Sequence, residues 1–151
     1  THVKTNINLG KIFLDMGDSD SALACLKRAA EKDPTSFEAV NNLAGAYLAK
    51  NDFDNAVVYF TKAVTIEPKN LTAKLNLAKA YASAGQYDSA KTSFIEILQK
   101  DKENWESYLE LAKVCIALKE TEKAEGYLVT LQEKNPTYRA SEVARLLQSI
   151  K

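Results

Sequence analysis

One spacing dominates this sequence: residues of the same type recur every 34 positions. Pro34 and Pro68 are one step apart, Pro136 lies two steps further on, and Lys102 occupies the step between them. The columns in register are Leu9, Leu43, Leu77 and Leu111; Ala22, Ala56, Ala90 and Ala124; Gly10, Ala44, Ala78 and Ala112; Phe13, Tyr47, Tyr81 and Cys115; and Leu26, Phe60, Phe94 and Leu128. Several columns sharing one long period are the signature of a repeat architecture.

The repeat accounts for nearly all of the 151 residues. If the first unit begins at Val3, four units follow one another and a short segment remains after them. These segments are 3–36, 37–70, 71–104, 105–138 and the remainder 139–151. We therefore expect four repeats and no second domain.

Each unit is predicted to be a pair of helices. In the second unit, FEAVNNLAGAYLAK and NAVVYFTKAVTI both place apolar residues at helical spacing, with the turn-type residues NDFD between them. Gly17 and Gly85 occupy this turn in two other units and suit a helix end that needs a positive φ. Ser36, Asn70 and Asn104 precede first helices and are expected to cap them.

The residues between units should stop the second helices. Proline cannot continue a helix, so Pro34 and Pro68 mark these ends. At Lys102 the stop is weaker, and we expect the third unit's second helix to run slightly longer.

The small residues explain how the helices of one unit fit together. Gly10 and its alanine equivalents let the second helix approach closely, and the column containing Ala56 presents a small face in return. A single unit cannot bury both of its apolar faces, so neighbouring units must stack into an all-α solenoid.

The two ends of the array differ. RASEVARLLQSIK carries Val143, Leu146, Leu147 and Ile150 on one stripe among polar residues, which predicts a C-terminal capping helix over residues 139–151. No matching cap precedes the first unit. Either the array continues upstream, or the edge formed by Ile7–Ile12 meets a partner.

Composition excludes several classes of protein. Twenty basic residues balance twenty acidic ones, which argues against nucleic-acid binding through clustered positive charge. No apolar run approaches the ~20 residues of a membrane-spanning helix, so we expect a soluble protein without membrane association. Two cysteines 90 residues apart form no disulfide framework, which favours a reducing compartment, the cytoplasm.

Chemistry-bearing motifs are absent from the sequence. His2 is the single histidine, and no phosphate-binding glycine motif occurs. Cys25 and Cys115 read as small buried apolar residues. We therefore expect no catalytic residue, no metal and no cofactor.

The segments NLGKIF, NLAGAY and NLAKAY in first helices, with SALACLKRAAEKDP and NAVVYFTKAVTIEP in second helices, resemble the tetratricopeptide repeat family. The resemblance covers residues 3–138. Lys102 and Cys115 depart from the pattern, as do the residues in the family's first aromatic position, which are Asn6, Val40, Lys74 and Tyr108. The resemblance implies a right-handed helical solenoid that binds segments of other proteins in a concave groove lined by the first helices.

Projection of the first helices places four sets of residues on that inner face. Asn8, Asn42 and Asn76 share one position, with Glu110 in the fourth unit. Side-chain amides both donate and accept hydrogen bonds, so such a series can pair with the backbone of an extended peptide. The alternative is that these amides contact only local water.

Lysines form the second set, at Lys11, Lys79 and Lys113, with Gly45 in the remaining slot. They would favour an acidic ligand, unless they are simply solvated. Carboxylates near enough to offset part of this charge are Glu38, Glu106, Glu110 and Asp15.

The third set is apolar. It comprises Ile7, Leu75 and Leu109 with Asn41, and a fourth set, also largely apolar, comprises Leu14, Leu48, Ala82 and Ile116. These residues either accept apolar side chains of a ligand or pack between neighbouring units, and the sequence does not separate the two cases.

A carboxylate clamp of the family's type is not expected. The clamp needs Lys and Asn in one first helix, Asn in the next and basic residues in the third. Starting from the first unit, Ile7 and Lys11 hold the first pair of slots, and Thr72 and Asn76 stand where the basic pair belongs. Starting from the second unit, these slots hold Asn41, Gly45, Asn76, Glu106 and Glu110.

The sequence thus predicts a non-enzymatic module for protein–protein interaction that binds a peptide or protein ligand, with acidic character favoured by the lysines. The predicted contacts are Asn8, Lys11, Asn41, Asn42, Leu48, Leu75, Asn76, Lys79, Leu109 and Lys113. The alternative is a structural role in a larger protein or assembly, with self-association through the N-terminal edge. RNA binding by a related helical repeat is disfavoured, since no basic stripe is visible.

Overall fold

Nine helices account for the regular structure within residues 2–151, the part of the chain that this computed structural model describes. The chain divides into two compact units, each larger than a single 34-residue repeat. The first unit, in this larger sense, ends at Ala84 and the second begins at Gly85. The first unit contains α1 (His2–Asp15), α2 (Ser19–Lys32), α3 (Phe37–Ala49), α4 (Phe53–Ile66) and α5 (Leu71–Ser83). The second contains α6 (Tyr87–Lys100), α7 (Trp105–Ala117), α8 (Thr121–Lys134) and α9 (Ala140–Ser149).

Side-chain caps start the first helices of three repeats, as predicted. Ser36 Oγ accepts a hydrogen bond from the Ala39 backbone N–H at 3.3 Å. The Asn70 and Asn104 side chains accept the equivalent bonds at 3.0 and 3.1 Å. These contacts satisfy amide groups that a helix N-terminus leaves without intrahelical partners.

The turn inside each repeat uses one left-handed residue. Gly17 has φ 78° and Gly85 has φ 73°, as the sequence predicts. Asn51 and Lys119 occupy the same position of the other repeats with φ values of 59° and 61°. The repeat geometry therefore imposes this conformation even where a side chain makes it unfavourable.

The expectation of a longer second helix at Lys102 is wrong. α6 ends at Lys100 after 14 residues, the same length as α2, α4 and α8. Asp101 stops it, because its backbone is extended and its carboxylate accepts a hydrogen bond from the Glu103 N–H at 3.1 Å. The acidic residue that follows the helix therefore ends it without help from proline.

The core of the first unit lies where the small column meets the large apolar column. An ideal Cβ added to Gly10 would lie 2.8 Å from Leu26 Cδ2, so the Leu26 side chain of α2 packs directly against α1 at this glycine. Ala44, Ala56 and Phe60 are buried in one cluster with Leu26. The close approach predicted from the small residues is confirmed.

The second unit has a core of its own, which α9 completes. Leu109 and Ala112 of α7 and Leu128 of α8 form a cluster with Val143 of α9. Leu146, Leu147 and Ile150 pack against the same cluster, so the predicted C-terminal helix uses its predicted apolar stripe.

Candidate functional site

The first helices of the repeats in the first compact unit are α1, α3 and α5. They share one face, and two side-chain contacts connect them. Lys11 of α1 lies 3.5 Å from the Glu38 carboxylate of α3. The Asn76 amide of α5 donates a hydrogen bond to Asn41 Oδ1 of α3 at 3.4 Å. These contacts run from α1 through α3 to α5, so the polar residues between them belong to a continuous surface, which we call the inner face.

Three of the predicted amide residues lie on these helices. Asn8 is exposed, and Asn42 and Asn76 are half-buried. Asn76 pairs with Asn41 rather than with Asn42, so one of its N–H groups is already engaged. A ligand would therefore find the Asn8 and Asn42 amides open and the Asn76 amide oriented by Asn41.

The apolar residues predicted for this face are only partly accessible. Leu75 is half-buried, and Leu48 is half-buried where it packs against the core of the first unit. Ile7 is buried in a small cluster with Ala29 and Ala39. The packing alternative left open by the sequence therefore applies to Ile7.

The lysines of this face do not provide an uncompensated positive charge. Lys11 has Glu38 as its partner, which the sequence predicted as an offsetting carboxylate. Lys79 is half-buried on α5. An acidic ligand is therefore not favoured by Lys11.

Lys113 and Leu109 lie in the second unit, where α9 packs against α7. Leu109 is 1% exposed, in contact with the cluster that Val143 joins. This burial contradicts its assignment as a peptide contact. A side chain already covered by α9 offers no surface to a ligand.

Lys113 is held by two carboxylates. Its ammonium group lies 2.9 Å from Glu110 and 2.7 Å from Glu142 of α9. Burial alone would lower the pKa of Lys113, but the hydrogen bonds to Glu142 and Glu110 outweigh burial and raise that pKa. Lys113 therefore fastens α9 to α7 and is not available as a predicted acidic-ligand contact.

Sequence reasoning missed a second concave surface in the first unit. It lies between α2 and α4, with α3 beneath, and Tyr47, Tyr59, Lys27 and Lys62 line it. We call it the outer cleft. The column formed by Cys25, Tyr59, Ser93 and Tyr127 alternates in size, and that alternation was the available signal.

Other site chemistries receive no support from residues 2–151. No group of three or more His, Cys, Asp or Glu side chains in this range could hold a metal ion. Cys25 and Cys115 are both buried, and burial raises the pKa of the Cys115 thiol. None of the described helices combines the length and apolar character needed to cross a bilayer.

Comparison with known proteins identifies the repeat. One tetratricopeptide repeat family model matches residues 7–70, and a second matches residues 47–95 and 82–150. No curated protein matches the chain.

Solved structures with the same fold include three tetratricopeptide repeat proteins. One from Parabacteroides merdae ATCC 43184 is 25% identical over 99% of this chain, with a TM-score of 0.83, and the chain covers 58% of that protein. A thermophilic TPR protein from Thermus thermophilus is 18% identical, with 98% and 81% of the two chains covered and a TM-score of 0.78. The first TPR of Spaghetti (RPAP3), bound to the HSP90 peptide SRMEEVD, is 23% identical, with 77% and 92% covered and a TM-score of 0.72. These likenesses confirm the predicted fold class, an all-α solenoid of helix-turn-helix repeats.

Proposed function

Since this chain belongs to the tetratricopeptide repeat family, whose repeats generally mediate protein–protein interactions, we propose that it binds a segment of a partner protein on the inner face of α1, α3 and α5. We propose no chemical step, because the repeat is typically a non-catalytic scaffold. The repeat boundaries and the contact residues belong to this proposal.

One observation carries the proposal: the inner face offers side-chain amides on three adjacent helices. Asn8 and Asn42 are open to a ligand, and Asn76 is oriented by Asn41. An extended peptide presents alternating N–H and C=O groups, and an amide side chain can satisfy either. Leu75 and Leu48 would contact apolar side chains between these hydrogen bonds.

The proposed contacts are narrower than those predicted from the sequence. Lys11 takes part only if a ligand competes with Glu38, and Leu109 and Lys113 are excluded because α9 engages them. We therefore propose a ligand that is recognised mainly through its backbone. The RPAP3 complex contains an HSP90 peptide with two adjacent glutamates, but no clamp for an acidic tail is proposed for this chain.

Paired asparagine substitutions test the proposal. Peptides are first selected on the intact chain from a displayed library, and their affinities are measured by isothermal titration calorimetry. Asn42→Ala with Asn76→Ala should weaken the best peptide about thirtyfold, because two hydrogen bonds of ~1 kcal/mol each are lost.

Asn6→Ala with Asn55→Ala is the matched control. Both residues bond locally, Asn6 to the His2 carbonyl and Asn55 to the Asp52 carboxylate. This pair should leave the affinity unchanged. Equal affinity of the Asn42/Asn76 variant and the unmodified chain would exclude the inner face as the binding surface.

A second candidate function, self-association through the N-terminal edge, is favoured by the exposed side of α1. Leu9, Ile12 and Met16 are 41%, 52% and 72% exposed there. One repeat later, Leu43 and Ala46 occupy the first two positions and are fully buried. The face of α1 that contains Leu9 and Ile12 is therefore exposed, whereas the equivalent face of α3 is buried.

Sedimentation equilibrium tests this candidate. Leu9→Gln with Ile12→Gln should abolish a concentration-dependent dimer, whereas Val58→Gln, at a residue of α4 that is 48% exposed, should not. An unmodified chain that stays monomeric at the highest soluble concentration would rule the dimer out.

A further inference from the structure

The outer cleft lies on the opposite side of α3 from the inner face. Val40, Leu43 and Tyr47 form its floor on α3. Successive helical residues are separated by about 100°, so these three positions point away from Glu38 and Asn41. The cleft encloses about 370 Å³. Because its floor residues point away from the inner face, it is a site separate from the one proposed above.

Two stacked tyrosines carry two lysines in this cleft. The rings of Tyr47 and Tyr59 have centroids 5.3 Å apart and planes 18° apart. Lys27 Nζ lies 5.5 Å from the centre of the Tyr47 ring, and Lys62 Nζ lies 4.4 Å from the centre of the Tyr59 ring. An ammonium group over an aromatic face is held in place while some of its three N–H donors remain open.

The charge of these lysines is not consumed by ion pairs. Throughout residues 2–151, no carboxylate lies within bridging distance of Lys27 or Lys62. Glu31 is the one acidic residue among those lining the cleft, one turn after Lys27. The cleft therefore has two cations, one anion and an aromatic floor.

The same cleft recurs two repeats later with different chemistry. In the second unit it encloses about 310 Å³ between α6 and α8, with Tyr127 in the place of Tyr59. Ile95 replaces Lys27, and Gln99 replaces Glu31. Thr130 stands where Lys62 would be. A cavity at this place therefore occurs in both compact units, whereas the two lysines and the glutamate occur only in the first, and Lys102 is the one charged residue among those lining the second.

We propose that the outer cleft binds a short acidic segment of a partner protein. Glutamate or aspartate carboxylates of the segment accept hydrogen bonds from Lys27 and from Lys62, and a neighbouring apolar side chain contacts the tyrosine pair. Charge complementarity selects the carboxylate, since two lysines without carboxylate partners flank the same apolar floor. That floor favours a peptide over a small free anion, because only a chain supplies an apolar group beside the charge.

The test uses a fluorescein-labelled octapeptide of alternating glutamate and leucine, measured by fluorescence anisotropy with the 151-residue chain. Lys27→Gln with Lys62→Gln should weaken binding about tenfold. Lys32→Gln with Lys69→Gln removes the same net charge outside the cleft and should change the affinity less than about twofold. All four side chains are exposed, so the variants should keep the far-ultraviolet circular dichroism of the unmodified chain.

Binding should also move the tyrosine ring resonances in NMR spectra. Shifts at Tyr47 and Tyr59, absent at Tyr127, would support the outer cleft. Shifts confined to the Asn41, Asn42 and Asn76 amides would overturn it and instead support the inner face.

Three further results would contradict the proposal. They are equal weakening by both lysine pairs, equal affinity for a glutamine–leucine octapeptide, and saturation by free glutamate at the same concentration as the peptide. Because the inner-face residues are unaltered in every variant, failure here leaves the proposed function untouched.

Discussion

Gly10 is the one of the five glycines at which an added Cβ would meet another side chain. A Cβ at this position would meet Leu26, whose side chain is fully buried and has little room to move. The later repeats have alanine at this position. Packing at this position is fixed by the pair of residues and not by either one alone.

Alanine substitutions at two glycines should therefore have opposite effects. Gly10→Ala overpacks the contact with Leu26 and should destabilise the chain by about 1–3 kcal/mol. Gly126 lies within α8 with nothing near the position of a Cβ, so Gly126→Ala should stabilise it by up to ~1 kcal/mol. Urea unfolding measures both, and a Gly10→Ala variant as stable as the unmodified chain would contradict the packing described.

Residue-level features were predictable where local chemistry decides them. Ser36, Asn70 and Asn104 were identified as caps because a cap depends on a residue and the three that follow it. The burial of Leu109 was not predictable, because it depends on a helix more than 30 residues away in the sequence. Periodicity placed Leu109 on the inner side of its helix but did not tell whether a ligand or a neighbouring helix covers it.

Among the elements, α9 shows how a short helix acquires a defined position. Val143 places it on the core of the second unit, and Glu142 bonds to Lys113 of α7. The sequence predicted the helix from its apolar stripe. It contained no sign of the ion pair, because Glu142 and Lys113 belong to different repeat positions.

The Glu142 carboxylate should make the attachment of α9 dependent on pH. The hydrogen bond from Lys113 holds the pKa of Glu142 below its usual value. A carboxylate with a lowered folded-state pKa stabilises the fold above its unfolded pKa, about 4.3, and loses that contribution as the pH falls through the folded value. Glu142→Gln should therefore cost on the order of 1 kcal/mol at pH 7 and progressively less below about pH 4.

Glu133→Gln on the exposed side of α8 is the control for this prediction, since the Glu133 carboxylate has no partner in residues 2–151. Thermal unfolding from pH 3 to pH 7 gives the comparison. A Glu142→Gln deficit that is the same at every pH would mean that packing, and not the charge pair, is responsible.

On the scale of the whole molecule, the two compact units have separate cores. Ala56 is buried in the first and Ala124 in the second, at the same position of their repeats. Trp105, the only tryptophan, lies in the second unit and reports on its unfolding. In repeat proteins the free energy of unfolding is approximately a sum over repeats and the interfaces between nearest neighbours. A destabilising substitution in one compact unit therefore need not destabilise the other to the same extent.

Ala56→Leu and Ala124→Leu should separate these contributions. Each overpacks its own core by about 1–3 kcal/mol. We expect Ala124→Leu to lower the unfolding midpoint seen by Trp105 fluorescence. Ala56→Leu should lower the midpoint seen by circular dichroism while moving the fluorescence midpoint much less. Identical fluorescence midpoints for the two variants would instead mean that the chain unfolds in one cooperative step.

The fold of the whole chain could be predicted from the sequence because the same pattern of apolar and small residues recurs in each 34-residue period. The candidate binding surfaces were harder to predict, because the recurring residues report on helix packing, whereas the surface residues differ from one repeat to the next. Lys27 and Ile95 stand two periods apart and differ completely in charge. Their shared role in lining the same kind of cavity emerges only from the three-dimensional structure.

Those paired cavities have a consequence for how such a protein can change. The backbone that encloses them is dictated by residues that every repeat shares, whereas the charged side chains of the first cavity, Lys27, Glu31 and Lys62, are exposed and belong to no buried core. Selectivity in one copy can therefore drift, be lost or be re-created by point mutation while its twin, and the scaffold beneath both, stays as it was.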